Sequence, residues 1–174
     1  MNTINYQATT LDKSKFPMIA EFIDILESKN SNEKLPSWKD LSFSTFPSYM
    51  IPNIILIDVT HDPLRFQYRF IGTAITSMEN RDETGIYIDQ LKPDAFAESV
   101  FASYKEIIQD KEFVVYNMNT SLNKGNLDIA NGVRIPLSND GTRVDHVLSI
   151  IHLNTSQYQL QDFYGDFIRP QGAG

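Results

Sequence analysis

The chain has 174 residues, a formal net charge of −7 at pH 7, and a composition that is 41% hydrophobic and 21% charged. This is ordinary globular composition, and a domain of that length can bury roughly 70% of its unfolded surface. The sequence contains no cysteine, which excludes disulfides, thiolate metal sites, Cys nucleophiles and Cys-linked chromophores. The acidic balance argues against partners that need a positive field, so we expect no nucleic-acid or anionic-membrane partner.

The sequence also lacks the signals of membrane insertion and export. No apolar stretch approaches the roughly 18–20 residues that span a bilayer, and the first 15 residues lack the apolar core of a signal peptide. We therefore expect a soluble, cytoplasmic protein. The polar residues 1–14 are predicted to be a disordered N-terminus.

An amphipathic helix is predicted over residues 15–29, because five apolar residues recur there at helical spacing. They are Phe16, Ile19, Phe22, Ile23 and Leu26. The stripe that they form would pack either on the helix's own domain or against a second copy of the chain. After this helix, residues 35–52 combine prolines with aromatic residues, which predicts short turns wrapped over the core.

Two strands form a predicted hairpin in the next segment. Residues 53–59 are rich in β-branched side chains, a turn follows at 60–63, and residues 65–71 alternate between two faces. A short helix that ends at Glu79 comes next. Gly85 is predicted to adopt a positive φ angle.

The second half of the chain predicts one long helix and three strands. A single apolar face predicts the helix from Pro93 to about residue 109. The strands are predicted over residues 113–122, 127–137 and 144–153. Asn131-Gly132 is itself a hairpin signal, so a break or bulge is predicted there. Strands grouped at both ends of the chain with helices between them indicate an α+β domain, which we expect to hold one antiparallel sheet with helices over one face.

Five islands of sequence within residues 30–153 resemble a PAS domain, and more closely the stand-alone PAS type of alphaproteobacterial proteins. The most specific part is Arg69-x-x-Gly72-Thr73 followed by Thr84-Gly85. The first of these two islands begins at Phe66, with Phe66-Gln67-Tyr68 leading into Arg69. The other three islands are Leu35-Pro36-Ser37-Trp38 with Asp40, the strand from Ile54 to Val59, and Ile135 to Gly141 with the strand from Val144 to Ile151.

The resemblance implies a five-stranded sheet in the order 2-1-5-4-3, with the helices between strands two and three forming a cup. In PAS domains the cup holds a small molecule or is filled by side chains, and signals pass through flanking helices. The chain would then divide into a disordered stretch 1–14, a flanking helix 15–29, the PAS domain 30–153 and a C-terminal tail 154–174. We expect a sensory protein of bacterial signalling that forms a homodimer through the 15–29 helix and contacts a signalling protein.

No cofactor is expected. Flavin photochemistry of the cysteinyl-adduct kind needs a cysteine, and PAS domains that bind haem usually ligate it through a histidine on the long helix, where this sequence has none. The three histidines are His61, His146 and His152. The last two would share one face of a strand about 20 Å apart, which is too far for a shared metal ion.

Candidate ligand-binding residues are two arginines in strands and three tyrosines. They are Arg69, Arg134, Tyr68, Tyr104 and Tyr116. Each arginine would point either to solvent or into the cup, where a buried guanidinium needs an internal carboxylate or a bound carboxylate ligand. The tyrosines would add hydroxyl donors or simply pack in the core.

Three functions follow from this sequence. The first is a non-catalytic regulatory domain that binds a small organic ligand, and the second is a pure dimerisation or interaction module with a filled core. The third is a small α+β enzyme that uses Asp58 and His61 as an acid–base pair. This function is disfavoured because the two residues flank a predicted turn, which is usually solvated, whereas a catalytic acid–base pair needs a cleft.

Overall fold

Six antiparallel strands form one sheet in the computed structural model, which describes residues 3–29, 35–122 and 125–164. The sheet order is β1-β4-β5-β6-β2-β3. The strands are β1 (Thr3–Ala8), β2 (Ile54–His61), β3 (Leu64–Ile71), β4 (Val114–Leu122), β5 (Gly125–Leu137) and β6 (His146–Leu153). The chain is thus an α+β domain with an antiparallel sheet, as predicted.

Among the described residues, four α-helices and three short 3₁₀ helices accompany the sheet. The helices are α1 (Pro17–Lys29), α2 (Thr73–Glu79), α3 (Asp94–Asp110) and α4 (Gln157–Tyr164), and the 3₁₀ segments are Phe43–Thr45, Ser48–Asn53 and Ile88–Gln90. In the described ranges, no helix is both long and apolar enough to cross a membrane.

The strand count and order differ from the prediction because the N-terminal segment adds a strand. Residues Thr3–Ala8 pair antiparallel with β4, where the polar composition predicted disorder. Ile4 and Tyr6 alternate with polar residues, so one face of the segment can pack on the core while the other meets water. The remaining five strands follow one another as β4-β5-β6-β2-β3.

Helices cover both faces of the sheet, whereas the sequence predicted helices over one face. Helices α2, α3 and α4 lie on one face, and α1 with the first two 3₁₀ segments lies on the other. The inner strand β2 is consequently buried on both sides, and its first four residues, Ile54 to Ile57, are all buried. Two-sided burial explains why this strand reads as a continuous apolar run.

The apolar stripe of α1 is used within the chain. Ile19, Phe22, Ile23 and Leu26 pack in one cluster with residues of β5 and β6, among them Val133. Of the two arrangements that the sequence left open for this stripe, the structure shows packing on the helix's own domain. The homodimer stays a prediction.

Two local expectations have clear outcomes. Gly85 adopts a φ angle of 87°, as predicted. Strand β5 runs through Asn131-Gly132, and its irregular pairing lies instead opposite Met118 and Asn119, next to Ile129. The bulge thus lies two residues before Asn131.

The predicted tail is partly integrated into the domain. Helix α4 contacts α2, and Leu160 is only 2% exposed. The segment predicted as a tail thus contributes Leu160 to the core. Residues 165–174 lie outside the described residues.

Candidate ligand-binding cleft

Arg134 occupies the interior of the domain. It lies on β5 between Val133 and Ile135, both of which pack on the α1 side of the sheet. Because side chains alternate along a strand, Arg134 faces the opposite side, beneath α3. The residue is only 4% exposed.

The guanidinium of Arg134 is enclosed by aromatic rings. Its Cζ atom lies 4.1 Å from the ring centroid of Tyr104, 4.5 Å from that of Tyr116 and 4.8 Å from that of Tyr6. Its Nη1 donates a 2.6 Å hydrogen bond to Oγ of Ser103. The Nε atom of Arg134 is buried without a hydrogen-bond partner. No carboxylate of the described residues forms an ion pair with the Arg134 side chain.

The surrounding hydroxyls do not neutralise this charge. Burial raises the pKa of Tyr116 to about 12 and raises that of Tyr6 further, although Arg134 opposes both shifts. The phenols are therefore neutral at physiological pH. A buried cation without a counter-ion carries a desolvation cost of several kcal/mol, which its cation–π contacts offset only in part.

Gly132 makes room for the Tyr116 ring. The two residues are directly opposite each other in the β4–β5 pairing. A Cβ atom on Gly132 would lie 2.6 Å from both Cζ and Oη of Tyr116 and 2.9 Å from the carbonyl oxygen of Ile150. The ring thus crosses over the glycine to reach Arg134, and the Asn-Gly pair that indicated a turn serves this close approach.

Sequence reasoning missed two members of this cluster. Tyr6 comes from β1, and its ring centroid lies 5.8 Å from that of Tyr116. The alternation of Ile4 and Tyr6 within polar residues could have indicated the strand. Ser103 precedes Tyr104 on α3 and is buried, and its hydroxyl donates to the carbonyl of Val100 as well as accepting from Arg134.

Two cavities meet at Arg134, and Tyr6 and Tyr116 line both of them. The inner cavity, of about 50 Å³, lies within the predicted cup under α2 and α4 and is largely apolar, with Tyr68 and Glu79 in its wall. The outer cavity, of about 180 Å³, opens between α3, β1 and the start of β4. We call the outer cavity the Arg134 cleft.

Glu79 is the acidic residue of the inner cavity. Burial raises its pKa to about 7, and the nearby charge of Arg81 opposes that shift. Arg81 itself is ion-paired with the buried Glu83. Glu79 is therefore partly protonated near neutral pH, and the pKa of the adjacent Tyr68 is raised well above its usual value, chiefly by burial.

Arg69 lies outside both cavities. It is 49% exposed, and its Nη1 is 3.3 Å from Oδ1 of Asp58. The β2–β3 pairing skips this residue, since Leu56 pairs with Phe70 and Ile57 with Tyr68. Of the five predicted ligand-binding residues, four thus gather around the cavities and Arg69 does not.

The acid–base pair considered for an enzyme is also rearranged. Asp58 accepts a 2.8 Å hydrogen bond from Nδ1 of His146, which lies opposite it in the β2–β6 pairing. His61 instead donates from Nε2 to the carbonyl of Val144. The sheet thus brings the Asp58 carboxylate to a residue 88 positions away in the sequence, and Asp58 and His61 have different hydrogen-bond partners. His152, on the same face as His146, contacts the ring of Phe16.

The described ranges contain no group of three or more His, Asp or Glu side chains arranged to hold a metal ion. A scan of the sequence against protein-family models finds no match, and a search of curated proteins finds none either.

Proposed function

We propose that this protein is a non-catalytic regulatory domain of the PAS type that binds a small organic carboxylate in the Arg134 cleft. The antiparallel sheet with helices α2 and α3 over one face is compatible with a PAS-like fold. The observation that carries the proposal is the buried guanidinium of Arg134, which has no carboxylate partner among the described residues and one unpaired donor.

A carboxylate is the ligand that best complements this site. Arginine presents a planar set of N–H donors that matches a carboxylate bidentately, and such charge-assisted bonds are about twice as strong as neutral ones. A bound anion would supply both the missing counter-ion and an acceptor. The rings of Tyr6 and Tyr116 would enclose its apolar part.

The available room favours the cleft over the interior of the cup. Side chains nearly fill the inner cavity, whose volume is about 50 Å³, whereas the cleft provides about 180 Å³ and an opening to solvent. The proposed ligand therefore enters beside α3 and β1 and meets Arg134 from that side.

Native and denaturing mass spectrometry of the freshly purified chain test for a retained ligand, and a thermal-shift screen of short-chain carboxylic acids tests for a weak one. A ligand at 100 times its Kd should stabilise the fold by about 2.7 kcal/mol. Arg134→Gln should abolish that shift. Arg69→Gln is the matched control, because Arg69 is half-exposed and lies outside the cavities.

The result that contradicts the proposal is also specific. If no carboxylate raises the melting temperature of the natural chain and no extra mass is retained, Arg134 has a purely structural role. A dimer with no bound ligand would then favour the interaction module that the sequence left open.

A further inference from the structure

We infer that the ligand of the Arg134 cleft is a zwitterion, whose carboxylate meets Arg134 and whose cationic amino group meets an acidic rim at the mouth. This inference rests on the proposed function and names its ligand class. The acidic rim consists of Glu106, Asp110 and Glu112, which line the same cavity as Arg134.

The acidic rim and Ser103, the hydrogen-bond partner of Arg134, lie on one face of α3 and in the residues that directly follow it. Ser103, Glu106 and Asp110 are spaced three and four residues apart, so they lie along one side of α3. Ser103 is buried and bonds Arg134, whereas Glu106 and Asp110 are exposed. The cleft therefore changes from a cation at its base to carboxylates at its opening.

The rim carries negative charge that nearby cations do not cancel. None of its three carboxylates forms an ion pair with a described residue. The neighbouring Lys111 directs its Nζ to the carbonyl oxygen of Thr142. Helix α3 also ends at Asp110, and the C-terminal end of a helix favours a positive charge.

A ligand with a single charge would be attracted by one part of this cleft and repelled by the other. A simple anion must pass the three carboxylates to reach Arg134, and a simple cation would meet the guanidinium. A zwitterion satisfies both, with its two charges oriented by the cleft. The cleft volume of about 180 Å³ restricts the ligand to a small molecule.

NMR titration of the full chain with matched probes tests this assignment. The zwitterions are L-alanine, β-alanine and 4-aminobutanoate, which separate the two charges by increasing lengths. Propionate and butanoate lack the amino group, and ethylamine and propylamine lack the carboxylate. We expect at least one zwitterion to bind about 10-fold more tightly than its matched carboxylate, as a charge-assisted hydrogen bond allows, and the amines not to bind.

Neutralising the rim should remove that preference. The combined substitution Glu106→Gln, Asp110→Asn and Glu112→Gln should bring zwitterion and carboxylate to within about 2-fold of each other. Glu98→Gln is the matched control, because Glu98 is an exposed acid of the same helix that does not line the cleft. A thermal melt of each variant verifies that it is folded.

The outcomes separate this inference from the proposed function. If propionate or butanoate binds as tightly as the zwitterions and Arg134→Gln abolishes binding, the ligand is a simple carboxylate and the zwitterion assignment is wrong. If neither these probes nor any acid of the wider carboxylate screen binds, both proposals fail. If the zwitterions bind but the rim variant keeps the full preference, the rim does not hold the amino group.

Discussion

Gly132→Ala tests how β5 positions the aromatic cluster around Arg134. The added Cβ would lie 2.6 Å from the tip of the Tyr116 ring and 2.9 Å from the backbone oxygen of Ile150. Ordinary van der Waals contact needs at least about 3.4 Å, so the ring must move by close to 1 Å. Tyr116 is only 3% exposed, so this movement disturbs its packing on Arg134.

The expected cost follows from overpacking. A methyl group forced into a packed core costs about 1–3 kcal/mol, and the smaller conformational entropy of an unfolded alanine chain returns about 0.4–1 kcal/mol. We therefore expect a net loss of roughly 1–2 kcal/mol in the free energy of unfolding. For a chain of this length, that corresponds to a decrease of about 2–8 °C in melting temperature.

Urea denaturation of four variants measures this effect as a double-mutant cycle. The variants are the natural chain, Gly132→Ala, Tyr116→Ala and the combination of the two. Once the ring is absent, Gly132→Ala should cost clearly less, because the two closest contacts of the added Cβ are then gone. An alanine variant as stable as the natural chain, or a cost that is unchanged without the ring, would refute the argument.

Three further predictions concern other parts of the fold. Leu160→Ala should lower the free energy of unfolding, measured by urea denaturation, by about 2–5 kcal/mol because Leu160 is buried where α4 packs on α2. Tyr158 lies on the exposed side of α4, so Tyr158→Ala should change that free energy by no more than about 0.5 kcal/mol. Equal effects of the two variants would contradict the packing of α4. Phe22→Ala should lower the free energy of unfolding by about 3–5 kcal/mol without changing the elution volume in gel filtration. Glu27 on the same helix is exposed, so Glu27→Ala should change neither the stability nor the elution volume. A dimer that Phe22→Ala dissociates would show that α1 pairs between chains. Burial raises the pKa of Glu79 from 4.5 to about 7. The folded state therefore binds this proton more tightly than the unfolded state, and stability should decrease as pH rises through that interval. Glu79→Gln should flatten this decrease in thermal melts recorded across the interval, and an unchanged profile would show that another group causes the pH dependence.

Local patterns were sufficient for most of the secondary structure. The apolar face of α3 and the β-branched run of β2 appear as predicted, and Gly85 has its positive φ angle. These features depend on neighbours within a few residues, so periodicity and turn chemistry encode them directly. The chemistry at Arg134 was a candidate for the same reason, since an arginine within an apolar strand is conspicuous.

The direction in which a strand residue points depends on contacts that are distant in sequence. Arg134 and Arg69 both lie between apolar neighbours, yet one is buried beneath α3 and the other is half-exposed beside Asp58. The difference arises because β5 is an inner strand with helices on both faces, whereas β3 is an edge strand whose pairing skips Arg69.

Composition, charge and periodicity by themselves determined the α+β class and most helices and strands, and they identified Arg134 as a candidate. Only the tertiary structure decided that Thr3–Ala8 joins the sheet, that α1 covers its second face, and that Tyr6 and Ser103 complete the surroundings of Arg134. Sequence periodicity states which residues share a face, but it does not state what covers that face. That choice is made when the whole chain finds the arrangement that buries all of its apolar surfaces together.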